Sequence, residues 1–299
     1  FGGMPWGRLS FAVMDTSASP APVPTRHNAP TAATPRRSFG DHLRYWRQRK
    51  RLSQLDLADE AGISTRHLSF VETGRAGPSR EMVLRLTERL EVPLRERNTI
   101  LAAAGFAPMY RERPLDDPEM ASARAAVQLI LGSHEPWPAL AMDRHWNMVM
   151  ANRMVALLLT GVAPELMAAP VNVLRLSLHP GGLAPRIANL NQWRHHLFER
   201  LRQQVQLTGD ATLAALLNEL QAMPGPDTND EVVVPGEHPG VLMPFLYKSD
   251  AGLLTLVSTV TVFGSPVDIT LQELALETFF LCDAFTRQVG PRHRPRHRL

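Results

Sequence analysis

Apolar positions three and four residues apart recur from Phe39 onward, which predicts a string of short amphipathic helices. Phe39, Leu43 and Trp46 share one face of the first, between Phe39 and Lys50, with arginines on the other. Ser53 is the expected N-cap of a second helix and Ser64 of a third. Gly74 stands at the C′ position of the third. Pro78-Ser79 opens a fourth helix over Arg80–Leu90, with Met82, Val83, Leu86 and Leu90 on one face, and Pro93 closes it. A fifth is expected over Leu94–Ala104, stopped at Gly105. Between the second and third helices, small Ala58 permits a close crossing, and Gly62 permits the positive φ of a tight turn. Leu57, Ala61, Ile63, Leu68 and Val71 are the apolar contacts expected to lock the pair. Ser64, Thr65, Arg66, His67 and Ser69 are left facing outward. A polar, basic helix braced by others is the shape a DNA major groove accepts.

Beyond residue 114 the pattern is mixed. A helix is expected over Asp116–Leu131, then a hairpin with strands at 139–142 and 146–150 around Asp143-Arg144. Asn152 is expected to cap a helix over Arg153–Leu159, and residues 171–178 also read as helix. His179-Pro180-Gly181-Gly182 is a break; helices follow over Ile187–Leu207 and Ala211–Ala222. Gly240–Tyr247 reads as a strand placed at an edge by Pro244, and Leu253–Phe263 as a second. A last helix is expected over Leu271–Thr286, with a Thr270/Glu273 capping box. Strands flanking helices predict one antiparallel sheet with helices across one face and a PAS-like pocket between. The fold class is α+β overall: an N-terminal all-α five-helix domain, then a PAS-like α+β domain.

These motifs carry a family likeness. Residues 39–113 resemble the repressor-type helix-turn-helix regulators called the XRE or Cro/C1-type family. The run Ser64–Arg75, with Pro78–Met82 and Leu94–Asn98, is similar to actinobacterial regulators with a MmyB-like C-terminal ligand-binding domain. The second half resembles that domain at Pro138-Ala139, Asp143–Asn147, Asn152, Asn172–Arg175, His179–Gly182, Asn189, Trp193-Arg194 and Phe263–Leu274. It departs at Leu281-Cys282-Asp283, where Pro-Ala-Asp is expected. The resemblance implies a PAS-like domain and, on one view, a fatty-acid-like ligand.

Charge sharpens the division. The whole chain of 299 residues carries +3. Residues 36–113 hold sixteen basic against ten acidic residues, net +6; residues 114–286 hold nine against eighteen, net −9; residues 287–299 add +5. A basic front joined to an acidic back suits a nucleic-acid reader attached to a part that does not touch nucleic acid. The expected organisation is a disordered leader at 1–35, rich in Pro, Ala, Ser and Thr, domains at 36–113 and 114–286, and a basic disordered tail at 287–299. Met14 is a candidate start, and no signal-peptide h-region is read in the leader. A single cysteine, Cys282, excludes an intrachain disulfide and a Cys-rich zinc site and fits a reducing cytoplasm. No apolar run reaches the ~18 residues of a membrane span.

Catalytic and metal constellations are not read here. His145, His179, His195 and His196 lack ligand spacing. Cys282 reads as a small buried hydrophobe, and Gly181-Gly182 as a turn; no cofactor is expected. For DNA, Gln54 and Arg75 are the expected phosphate contacts. Thr65, Arg66, His67 and Phe70, flanked by Ser64 and Ser69, are the expected base-facing set. For a ligand, the candidates are Met142, Arg144, Trp146, Met148, Arg175 and Trp193; Met150, Leu174, Leu254 and Val257 are further expected wall residues. Arg144 and Arg175 are the cations a carboxylate would need, although Asp143-Arg144 also reads as an ion pair within the hairpin, and both tryptophans suit a core. The reading is a homodimeric regulator on a palindromic operator, sensing a small apolar effector. The alternative is a C-terminal half that only dimerises.

Overall fold

The computed structural model describes residues 37–225, 243–250, 252–264 and 266–282. The expected leader and basic tail, and residues 240–242 of an expected strand, lie outside these. From Ser38 the chain forms one compact unit.

Five helices come first: α1 (Phe39–Arg49), α2 (Gln54–Glu60), α3 (Thr65–Glu72), α4 (Arg80–Arg89) and α5 (Leu94–Ala103). Four of them start the same way. Ser38, Ser53, Ser64 and Ser79 each accept a backbone N–H from three residues on, and Asp41 and Asp56 complete reciprocal boxes at α1 and α2. Each such cap contributes about 1 kcal/mol. Inward faces meet in one core built on Leu43, Leu57, Leu68, Leu86, Leu90, Ile100 and Leu101, all essentially inaccessible to water. Gly62 takes φ +64° in the turn between α2 and α3, as the turn requires. Gly40 acts through size: a Cβ there would lie 2.3 Å from the Glu72 carbonyl oxygen, so α1 and α3 touch only because position 40 has no side chain.

The second part begins with α6 (Ala121–Ser133), followed by β1 (Ala139–Met142), β2 (Met148–Ala151), α7 (Arg153–Leu158), α8 (Val173–Leu178), α9 (Leu190–Thr208), α10 (Ala211–Ala222), β3 (Phe245–Ser249), β4 (Gly252–Val262), the single turn α11 (Ile269–Gln272) and β5 (Ala275–Leu281). All five strands pair antiparallel in the order β2-β1-β5-β4-β3. Helices α7–α10 are inserted between β2 and β3, the PAS-like arrangement expected.

Two expectations are corrected. The expected helix over Leu271–Thr286 does not form in the described residues: α11 ends at Gln272 and the chain becomes β5, which lies in the middle of the sheet, with Leu140 and Val260 on either side of Glu277. Asp268, rather than a Thr270/Glu273 box, caps α11, its side chain accepting from Thr270 N. Helices also cover both faces of the sheet rather than one. Ala139, Ala141 and Leu276 pack with Val127 and Leu131 of α6. Leu140, Met142 and Phe279 pack on the other face against α8, α9 and α10. Burial on both faces explains why β1 reads as an unbroken apolar run.

Three buried asparagines pin the irregular joints. Asn152 accepts from Ala139 N and donates to the Leu131 and Trp137 carbonyls, instead of capping α7. Asn172 caps α8 and donates to the His145 carbonyl. Asn189 bonds Pro244 O and Leu246 N, tying the start of α9 to β3. All three lie among the residues that carry the family likeness, and their part is structural.

Gly40→Ala is expected to destabilise the five-helix part by about 1–3 kcal/mol, as overpacking does. Urea unfolding with Trp46 as reporter measures it; wild-type stability would show that α1 and α3 can separate without cost.

Candidate functional site

Two sites emerge, one on α3 and one beneath the sheet. On α3 Arg66 is exposed and Thr65, His67, Ser69 and Phe70 are partly so, and Arg75, in the turn that follows, is exposed. The Phe70 ring lies between two guanidinium groups, Arg66 at 5.3 Å and Arg75 at 6.0 Å from its centroid. These cation–π contacts hold both arginines at the outer face. Ser64 stands at the edge of this patch, but its hydroxyl is engaged as the α3 cap, accepting from His67 N at 3.2 Å. Gln54 is half-buried, and its amide donates to Glu72 Oε2 at 2.8 Å.

Glu72 is the charge beneath this surface. Its side chain is fully buried and takes a two-point bond from Arg47, 2.6 Å to Oε1 and 3.0 Å to Oε2. Burial pushes the carboxyl up, but the hydrogen bonds from Arg47 and Gln54, with the charges of Arg47 and Arg44, outweigh it and hold it below 4.5. Arg47 also donates to the Leu52 carbonyl, so one guanidinium joins α1, the α1–α2 turn and α3. Sequence reading passed over Glu72 and Arg47, since nothing in a surface-like Glu before Thr-Gly marks it as buried.

The second site is a partly open, largely apolar cavity of about 60 Å³ between the sheet and α7, α8 and α9. Of the expected ligand residues, Trp146, Met148 and Trp193 line it, with Leu174 beside them; further walls come from Leu140, Val155, Leu158, Leu197, Phe245 and Phe279. Met142 is buried in the adjoining core instead. Met150 packs on the opposite face of the sheet. Neither expected cation is at the cavity. Arg175 is bound on both nitrogens to Glu219 of α10, 2.6 Å each. Arg144 lies 3.7 Å from both Asp210 and Glu273, and not in an ion pair with Asp143, whose carboxylate accepts from His145 N, Asn147 N and Asn147 Nδ2. A wider hollow of about 280 Å³ opens on the surface around Pro180, Pro185, Asn191 and Lys248 and contains none of the expected residues.

Trp146 stands at φ +66°, a conformation costly for a bulky residue. It is fixed there from several directions. Its indole donates to Gln204 Oε1 at 2.8 Å, its carbonyl accepts from Val173 N at 2.9 Å, and Arg200 lies 4.7 Å above its ring. Glu277, from the middle of β5, lines the same cavity and is 6% exposed. Burial drives its carboxyl upward, against the opposing pull of a Ser258 hydrogen bond and of Arg200. Sequence reading missed Glu277; the signal available was one acid inside the apolar run Ala275–Leu281. Cys282, expected to be buried, is exposed at the end of β5.

Comparison with known proteins bears on both sites. Residues 38–100 match the model of a helix-turn-helix domain. Residues 123–290, more than half of the chain, match the model described as MmyB-like transcription regulator ligand binding domain. The chain belongs to that family. The crystal structure of the clp gene regulator ClgR from Corynebacterium glutamicum is also similar: 23% identical, covering 33% of this chain and 90% of that one, with a TM-score of 0.20. At that score the likeness carries no argument about the fold. A search of curated proteins found no match. A DNA-binding helix-turn-helix joined to a MmyB-like ligand-binding domain makes this family member a ligand-responsive transcription regulator. No helix among the described residues is long and apolar enough to cross a membrane.

Glu72 sets an acid limit on the reader. Because its folded pKa is depressed, its stabilisation is complete above the ordinary value of 4.5 and is lost as pH falls through the lower folded value. Glu72→Gln is expected to cost about 1.5–3 kcal/mol at neutral pH, the worth of hydrogen bonds to a charged group, and to flatten the acid limb. Urea midpoints measured from neutral to acid pH test this; a variant with an unchanged limb would show that Glu72 does not set it.

Proposed function

We propose that α3 reads operator bases and that occupancy of the cavity under the sheet alters how α3 is presented. One observation carries the link. Pro93, the N-cap of α5, supplies no side-chain hydrogen bond; the Leu94 N–H is instead taken by Gln272 Oε1 of α11, at 2.6 Å. Next to it, Arg95 is held by Glu273 at 2.7 and 2.9 Å, and by Glu112. Five residues after Gln272, on β5, comes Glu277 of the cavity wall. The segment lining the cavity therefore also caps a helix of the DNA-binding domain. A part serving dimerisation alone has no use for that connection.

On this reading Arg66, Thr65, His67 and Phe70 face base edges, with Ser69 beside them. Arg75 holds a phosphate, and so does Gln54, oriented from below by Glu72. A symmetric dimer would place two α3 helices about one DNA turn apart on a palindromic operator. The effector is small and apolar, a fatty-acid-like molecule being one case, and the setting is the bacterial cytoplasm. The effector acts only through its differential affinity for two arrangements of the chain.

The reading of DNA is tested by selecting a site from random duplexes and measuring anisotropy with wild type and Arg66→Ala. The variant is expected to lose about 1–3 kcal/mol of discrimination at one base pair. Equal weakening on every duplex would make Arg66 a phosphate contact instead. The link is tested by hydrogen exchange. Gln272→Ala is expected to raise exchange at the Leu94 amide about two- to tenfold, the range of one lost hydrogen bond. No change there would remove the connection. Native mass spectrometry with organic extraction of the purified chain then asks for the effector; a co-purifying apolar mass supports the sensor, and a clean dimer with a DNA affinity that no extract shifts leaves dimerisation alone.

A further inference from the structure

One residue of the cavity wall carries a buried polar atom with no partner among the described residues. Trp193 is 4% exposed and lines the cavity, yet its indole Nε1 makes no hydrogen bond. A buried N–H left unmet costs about 1–3 kcal/mol, so such a group marks a place where a missing acceptor belongs. Trp146, the other indole in the same wall, is satisfied by Gln204. The other polar side chains at the wall are Ser177 and Glu277, the carboxyl of the latter 3.9 Å from Arg200.

We propose that the cavity binds a compact apolar molecule through a single uncharged acceptor oxygen, such as a ketone, ester or lactone carbonyl, which takes the Trp193 N–H. The proposal rests on the sensor reading above and narrows it. Charge of either sign is disfavoured for a stated reason. Either ion would leave water for an apolar cavity that offers little to replace its hydration. A carbonyl oxygen needs one donor, and Trp193 offers one. The space, about 60 Å³, is small for a ring-sized ligand. A ring-sized ligand must therefore widen it. The thioether of Met148 and the partly buried Leu158 and Leu159 are the movable wall.

Three probes sharing one ring separate the possibilities on the full chain: cyclohexanone, cyclohexanecarboxylate and cyclohexylammonium. The readout is the indole N–H resonance of Trp193, assigned by its loss in Trp193→Phe. Cyclohexanone is expected to shift that resonance and to bind at least about tenfold more tightly than either ion. Trp193→Phe is expected to weaken the ketone about tenfold, the size of one hydrogen bond. The ranking of the three probes needs no variant, so it decides even if Trp193→Phe does not fold. Carboxylate or ammonium binding as tightly as the ketone overturns the proposal and leaves the sensor reading standing. Ketone binding with the indole resonance unmoved does the same. Binding of none of the three, with DNA affinity unchanged, overturns both.

Discussion

The N-terminus of α5 lacks a cap of its own. A helix start has orphan N–H groups that something must satisfy, and Pro93 has no side chain able to do it. Gln272 meets the first of them from the other domain, and Arg95 fixes the geometry by binding Glu273 and Glu112 together. Around this point Arg111 O accepts from Ile269 N, and Arg113 lies 3.7 Å from Asp268. The apolar cores of the two domains are separate. What joins them here is polar, directional and short, and it is concentrated on residues 268–273. A shift of α11 therefore bears directly on α5, and α5 shares its core with α3 through Ile100, Leu101, Leu68 and Val71.

The cavity's small size fits a two-state device better than a permanent container. A protein core closes where it can, and here it closes around a strained Trp146 and an unmet Trp193 N–H. On the proposed reading the unmet N–H is a local cost that an occupant relieves. Relief on filling is a differential interaction with the open and closed arrangements, and without such a difference a ligand shifts nothing.

The DNA-binding part was legible in the sequence almost to the residue, because its signals are local. Serine caps, Gly62 and the three-four spacing of Phe39, Leu43 and Trp46 and of Val83, Leu86 and Leu90 act within a few positions of where they are read. Glu72 escaped because its burial is decided by Gly40 and Arg47, more than twenty residues away. In the second domain α8 and α10 were read as helices from their apolar runs, and the structure supplies their caps, Asn172 and Asp210. β5 was not. Residues 271–286 have helical spacing and a plausible capping box, but β1 and β4 offer a strand-shaped gap between them, and pairing on both edges overrides local preference. That one misreading hid Gln272, Glu273 and Glu277 together. The cavity residues Trp146, Met148 and Trp193 were found because large apolar side chains announce themselves. Arg144 and Arg175 misled because a cation near a pocket in sequence is as easily claimed by a carboxylate on another helix, here Asp210 or Glu219.

The magnitude of the domain link is as informative as its place. Arg95 and Glu273 are about a quarter and a fifth exposed, so water screens their attraction and their pairing is worth far less than that of a fully buried ion pair. One backbone cap adds about 1 kcal/mol. Together they amount to a few kcal/mol at most, comparable with the 1–3 kcal/mol typical of coupling between allosteric sites, a five- to 150-fold change in affinity. A large apolar interface at this junction would have fixed α5 whatever filled the cavity. A junction with no contact would have transmitted nothing. On the proposed reading, holding the reader by a few directional contacts, the Gln272 cap and the Arg95 pairing among them, keeps the connection strong enough to bias DNA binding and weak enough for a small molecule to change.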